Sequence, residues 1–142
     1  MTQQQTAMRR AGWVLIATGV FFAFAAVPIF HPLVKLFLQI AYWPIHNLPA
    51  DLTLPTPLLV AITGGLTAGL GGMLWALGTH IAGTAPDAAA KVTQMAAWIW
   101  FCTDSTASVL VGAPFNVVLN LSFLVLMLIS SRVRVSQTAV TL

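Results

Sequence analysis

WIWFCTDSTASVLVGAPFNVVLN, residues 98–120, sets one aspartate, two asparagines and a run of hydroxyls inside an otherwise apolar stretch. Near its centre, Gly112-Ala113-Pro114 interrupts the apolar pattern, so the stretch reads as two helices joined by a tight turn. At 1.5 Å per helical residue, Asp104 lies roughly 12 Å below that turn and Asn120 roughly 9 Å below it on the returning helix. An antiparallel hairpin therefore brings the two to similar depth. Ser108 stands one turn above Asp104, and Asn116 one turn above Asn120, each at i,i+4 spacing on one face. The expectation is a polar ladder between two helices, with Asp104 and Ser108 facing Asn116 and Asn120 and with Thr103 and Ser105 beside it.

What surrounds this ladder follows from the rest of the chain. Of 142 residues, 58% are hydrophobic and 6% are charged. Soluble domains carry about 25% charged residues, and a chain of this size has too little interior to bury so much apolar area. Lipid is the expected solvent. The net charge of +3 comes from six scattered basic residues, which argues against nucleic acid as a partner. Cys102 is the sole cysteine, which excludes an internal disulfide; inside an apolar run it is expected to be a buried, inert thiol.

Working outward, four apolar segments emerge, at 12–30, 57–79, 92–112 and 114–131. Each reaches the 17–25 residues, or roughly 30 Å, that a bilayer core requires. The predicted fold is an all-α integral membrane protein, a single domain over 1–142, with four transmembrane helices in an antiparallel bundle. Arg9 and Arg10 precede the first segment as in a signal peptide, but the segment is long and ends in Val27-Pro28-Ile29-Phe30 without a small-residue cleavage site. It reads as a retained helix. Thr56 is expected to cap the second segment ahead of Pro57, and Pro114 to open the fourth. Thr84 and Pro86-Asp87 mark the start of a helix that runs into the third. Residues 1–8 and 136–142 read as mobile tails.

Basic residues orient the bundle. With the N-terminus inside, Arg9, Arg10, Lys91, Arg132 and Arg134 fall on the cytoplasmic side and only Lys35 outside. The expected location is the inner (plasma) membrane of a bacterial cell, with both termini cytoplasmic. In the first external loop, Leu33, Leu36, Phe37 and Ile40 recur at helical spacing and Tyr42 and Trp43 follow. This segment, about 33–43, is too short to span and is expected to lie in the interface, the rival being a lid over the bundle mouth. The second segment carries small residues in two rows, Gly65 with Gly69 and Gly64 with Ala68 and Gly72. Such rows let helix backbones approach closely, here within the bundle, with a homodimer seam as the alternative.

A charged aspartate at mid-membrane costs about 2.5–3.5 kcal/mol, and no lysine or arginine lies within the four segments to offset it. The expected solution is a protonated Asp104 donating a hydrogen bond to an asparagine carbonyl. Polar glue contributes roughly 0.6 kcal/mol per contact in membranes, which poorly explains a carboxyl where serine or asparagine would serve. Ionisable groups inside a bilayer mark proton relays, ion paths and ligand contacts. Other candidates carry less. His31 and His46 share the external side as candidate metal or haem ligands, while His80 lies on the other side, and no ligand spacing joins them. Trp98, Trp100 and Phe101 read as packing residues, and Ser105 lacks a GxSxG context.

Two functions are therefore expected. The first is a small inner-membrane protein acting through helix association, as a homo-oligomer or as a subunit of a larger membrane complex. The second is a small proton- or cation-linked transporter or channel built on Asp104, Asn116 and Asn120. An enzyme is disfavoured and no cofactor is expected; the partner is the lipid bilayer together with further membrane helices.

Overall fold

The structure, a computed structural model, describes residues 1–44 and 55–133. It is all-helical among the described residues. Five α-helices follow one another: α1 (Gln3–Ala25), α2 (His31–Ala41), α3 (Pro55–Ala76), α4 (Pro86–Leu110) and α5 (Asn116–Arg132). A 3-10 turn at Pro28–Phe30 leads into α2, and α3 widens into a π-helical turn at Leu77–Ile81. Two helices, Gln3–Ala25 and Thr56–Ile81, are long and apolar enough to cross a membrane. The apolar α5 has 17 residues. The 25 residues of α4 are diluted by Asp87, Lys91, Gln94 and the hydroxyls around Asp104.

Local chemistry sets the helix limits. At the start of α1 the Thr2 hydroxyl accepts from the Gln5 amide N–H at 3.1 Å, and the Gln5 side chain accepts from the Thr2 N–H at 2.7 Å. This reciprocal cap satisfies two otherwise orphaned donors and starts the helix at Gln3, where a mobile tail was expected. The far end stops short of Phe30, at Ala25, because Pro28 forbids helical backbone at the residue before it. Pro32 and Pro86 sit in the first turns of α2 and α4, where a missing N–H costs nothing. Thr56 lies inside α3, not at its cap, and α5 opens at Asn116, two residues past Pro114. Between α4 and α5, Gly112 adopts the left-handed φ of 80°, and the Ala113 N–H reaches back to the Ser108 carbonyl at 2.8 Å. That glycine closes α4 and reverses the chain.

The helices associate as two pairs. The more extensive interface joins α1 to the antiparallel α3; the second joins α4 to α5 as a hairpin. The first seam is backbone on backbone. A Cβ added at Gly64 would lie 2.6 Å from the Gly19 carbonyl oxygen, and one added at Gly71 would lie 2.7 Å from that of Gly12. Ala68 completes this seam against Gly19. Gly65, Gly69 and Gly72 meet nothing within 4 Å, so the GxxxG row faces away from the chain, contrary to the expected packing within the bundle.

A small core of Met8, Leu15, Leu74, Leu124 and Met127, filled in by alanines, lies where the pairs meet. Polar residues are buried alongside this core. Gln4, Thr93, Ser105, Ser108, Asn120, Ser130 and Ser131 are buried, while large apolar side chains on every long helix are exposed, Leu66 at 70% and Leu110 at 81%. At the N-terminal end, the Gln4 amide donates to the Ser131 carbonyl at 2.8 Å and to the Pro86 carbonyl at 3.0 Å. One side chain thus ties the start of α1 to the start of α4 and the end of α5.

Candidate functional site

The polar ladder lies along the α4–α5 seam. α4 carries Asp104, Ser105 and Ser108, and α5 carries Asn116 and Asn120. Asn120 donates to Asp104 Oδ2 in a short contact and to Ser105 Oγ at 3.4 Å. Asn116 donates to the same Asp104 oxygen at 3.4 Å and to Ser108 Oγ at 2.9 Å. The Ser108 hydroxyl in turn donates to the Asp104 carbonyl at 2.8 Å. The structure therefore brings all five residues together, with Ser105, Ser108 and Asn120 buried and Asp104 and Asn116 half-buried.

One detail runs opposite to the expectation. Both amides donate to Asp104, which accepts on a single oxygen, whereas a protonated carboxyl donating to an asparagine carbonyl was expected. Neighbouring side chains diverge. Thr103 is exposed, and so is Cys102, because both fall on the outer face of α4 while Asp104, Ser105 and Ser108 turn toward α5. An apolar sequence context does not bury a thiol on a helix whose outer face is itself apolar.

Asp104 also faces open space. It lines a cavity of about 1200 Å³ between the helix pairs. Thr18 and Phe22 of α1 contribute to the wall, as do Thr63 and Thr67 of α3 and Trp100, Asn116, Asn120 and Phe123 of the hairpin. α2 and the turn after it border one side of it, from Val34 to Trp43. Edge-on ring contacts hold α2 in place, Phe37 on Phe22 at 4.9 Å and Trp43 on Phe115 of the α4–α5 turn at 5.8 Å. The short helix and the residues after it line the cavity along that side. None of Thr18, Thr63 and Thr67 stood out in the sequence. Their signal is weak, hydroxyls at single turns of otherwise apolar helices.

The histidines stay apart from this site. His31 is half-buried, with Nε2 3.2 Å from the Ala26 carbonyl oxygen, where it helps close the end of α1. His46 lies outside the described residues, and among the described residues no group of three metal-ligating side chains comes together. Trp98 and Trp100 make edge contacts with Phe101 and Phe123, respectively. Compared with protein-family models, curated proteins and solved structures, the chain finds no significant match. A functional reading of the site rests on its own geometry.

Proposed function

We propose that the chain is an integral membrane protein, with α1, α3, α4 and α5 crossing the bilayer, and that it works as a small proton- or cation-linked transporter through Asp104, Asn116 and Asn120. The observation that carries this is the carboxyl of Asp104 lining a cavity of about 1200 Å³ while two amides hold it in place. Glue between helices needs no access to a cavity; a site that exchanges a proton or cation does. Support for the bilayer comes from the inverted surface, with large side chains such as Leu66, Leu110 and Ile129 outside and serines and asparagine inside. With about 17 residues the minimum for a span, α5 also qualifies. The excess of arginine and lysine at the N-terminal end of the bundle favours an inner-membrane location with that end cytoplasmic. α2 then lies at the external face, in the interface and over the cavity mouth.

The test is flux in proteoliposomes under an imposed proton gradient. Asp104→Asn is expected to abolish flux while leaving expression and the thermal unfolding midpoint near those of the wild type. Loss of folding with no separable activity would reduce the ladder to structural glue.

A second reading, association with another copy or another membrane subunit, is favoured by one observation. Gly65, Gly69 and Gly72 present a smooth row with nothing within 4 Å, the kind of surface on which a second helix packs closely in lipid. The two readings are compatible, since four helices are few to enclose a pathway and a dimer would complete it.

A further inference from the structure

We infer that the occupant of the cavity is a bulky organic cation, an amine or quaternary ammonium bearing apolar groups, held against Asp104; this rests on the solute-site reading above. Size is the first argument. About 1200 Å³ is more than the roughly 300–1,000 Å³ of pockets that hold drug-sized ligands, room enough for an organic solute.

Sign is the second argument, and it comes from counting hydrogens. Each asparagine amide has two N–H donors. Asn120 directs its amide to Asp104 and Ser105, and Asn116 directs its amide to Asp104 and Ser108. The Ser108 hydroxyl hydrogen goes to the Asp104 carbonyl, and the Thr67 hydroxyl hydrogen goes to the Thr63 carbonyl at 2.8 Å. The amide and Ser108 donors of the ladder are thus consumed within the ladder, and at that end of the cavity the Asp104 carboxyl and oxygen lone pairs remain to meet an occupant. Beside Asp104 an anion would meet acceptors, whereas a cation finds partners.

The apolar lining is the third argument. Phe22, Trp43, Trp100, Phe115 and Phe123 surround the same space, and aromatic faces attract ammonium groups while accommodating their apolar substituents. Lys35 of α2 lines the same cavity, so the cation is assigned to the α4–α5 ladder and not to the α2 side.

Tetraphenylphosphonium and tetraphenylborate provide the test, because they share size and shape and differ in sign. Binding to the purified full-length chain in maltoside detergent is followed by calorimetry. The cation should bind saturably and at least tenfold more tightly than the anion, a comparison that needs no variant. Asp104→Asn should weaken the cation at least tenfold while leaving the anion unchanged. Equal or tighter binding of the borate, no saturable binding of the phosphonium, or an unaltered Asp104→Asn affinity would each overturn the inference. A lipid headgroup ammonium offers the same chemistry. Competition by added phosphatidylethanolamine assigns the site to lipid, and its absence to a soluble cation. The transport reading fails separately: Asp104-dependent binding without flux removes transport and keeps the cation site, whereas Asp104-dependent proton flux without phosphonium binding does the reverse.

Discussion

Asn120 is the residue on which the polar ladder turns, since its buried amide reaches both Asp104 and Ser105. Truncating it leaves a carboxyl oxygen with one long amide bond, from Asn116 at 3.4 Å. Each hydrogen bond contributes about 0.5–1.5 kcal/mol, with membrane averages near 0.6, and Asn120 makes two. Asn120→Ala is therefore expected to lower stability by about 1–2 kcal/mol, measured by thermal unfolding in detergent, and Asn116→Ala by less. At this scale much of the site was legible. Helical rise alone placed Asp104 and Asn120 at one depth, and i,i+4 spacing supplied Ser108 and Asn116. Which partner donates was not legible, because that depends on side-chain rotamers, and neither was the exposure of Cys102, because apolar neighbours do not distinguish a core from a lipid-like surface.

Helix α3 presents two glycine rows to two different environments. One row, Gly64 with Ala68 and Gly71, meets Gly19 and Gly12 of α1; the other, Gly65 with Gly69 and Gly72, is open. Gly64→Leu drives a side chain into the backbone of α1, and overpacking of this kind costs about 1–3 kcal/mol or more. It is expected to disrupt folding, read as loss of a cooperative melt in detergent. Gly69→Leu should leave that melt intact and reduce cross-linked dimer in lipid; unchanged cross-linking would remove the association reading. The GxxxG pattern pointed to α3, and the row that packs against α1 is the neighbouring one, Gly64 with Ala68 and Gly71. The better signal was the matching separation of seven residues between Gly12 and Gly19 on α1 and between Gly64 and Gly71 on α3, which only antiparallel alignment of the two helices reveals. Proline positions marked α2 and α4 well, whereas the start of α1 was hidden in a polar leader whose cap needs Thr2 and Gln5 to be read together.

Across the whole molecule, composition sufficed for an all-helical chain with an apolar exterior. The pairing of α1 with α3, and the cavity left between that pair and the hairpin, required three-dimensional packing. Gln4 holds these parts at one end through the Pro86 and Ser131 carbonyls. Replacing Gln4 by Ala removes two bonds worth about 1 kcal/mol each, so a loss of roughly 2 kcal/mol is expected in thermal unfolding, with helix content unchanged by circular dichroism. The position of this tie has a mechanical consequence. Asp104 lies 18 residues along α4 from Pro86, roughly 27 Å at 1.5 Å per residue. A tilt of the hairpin by about 5° around a pivot at Gln4 moves the carboxyl by roughly 2 Å over that lever arm. Spacing at the pinned end barely changes, and the width beside Asp104 takes up the whole displacement.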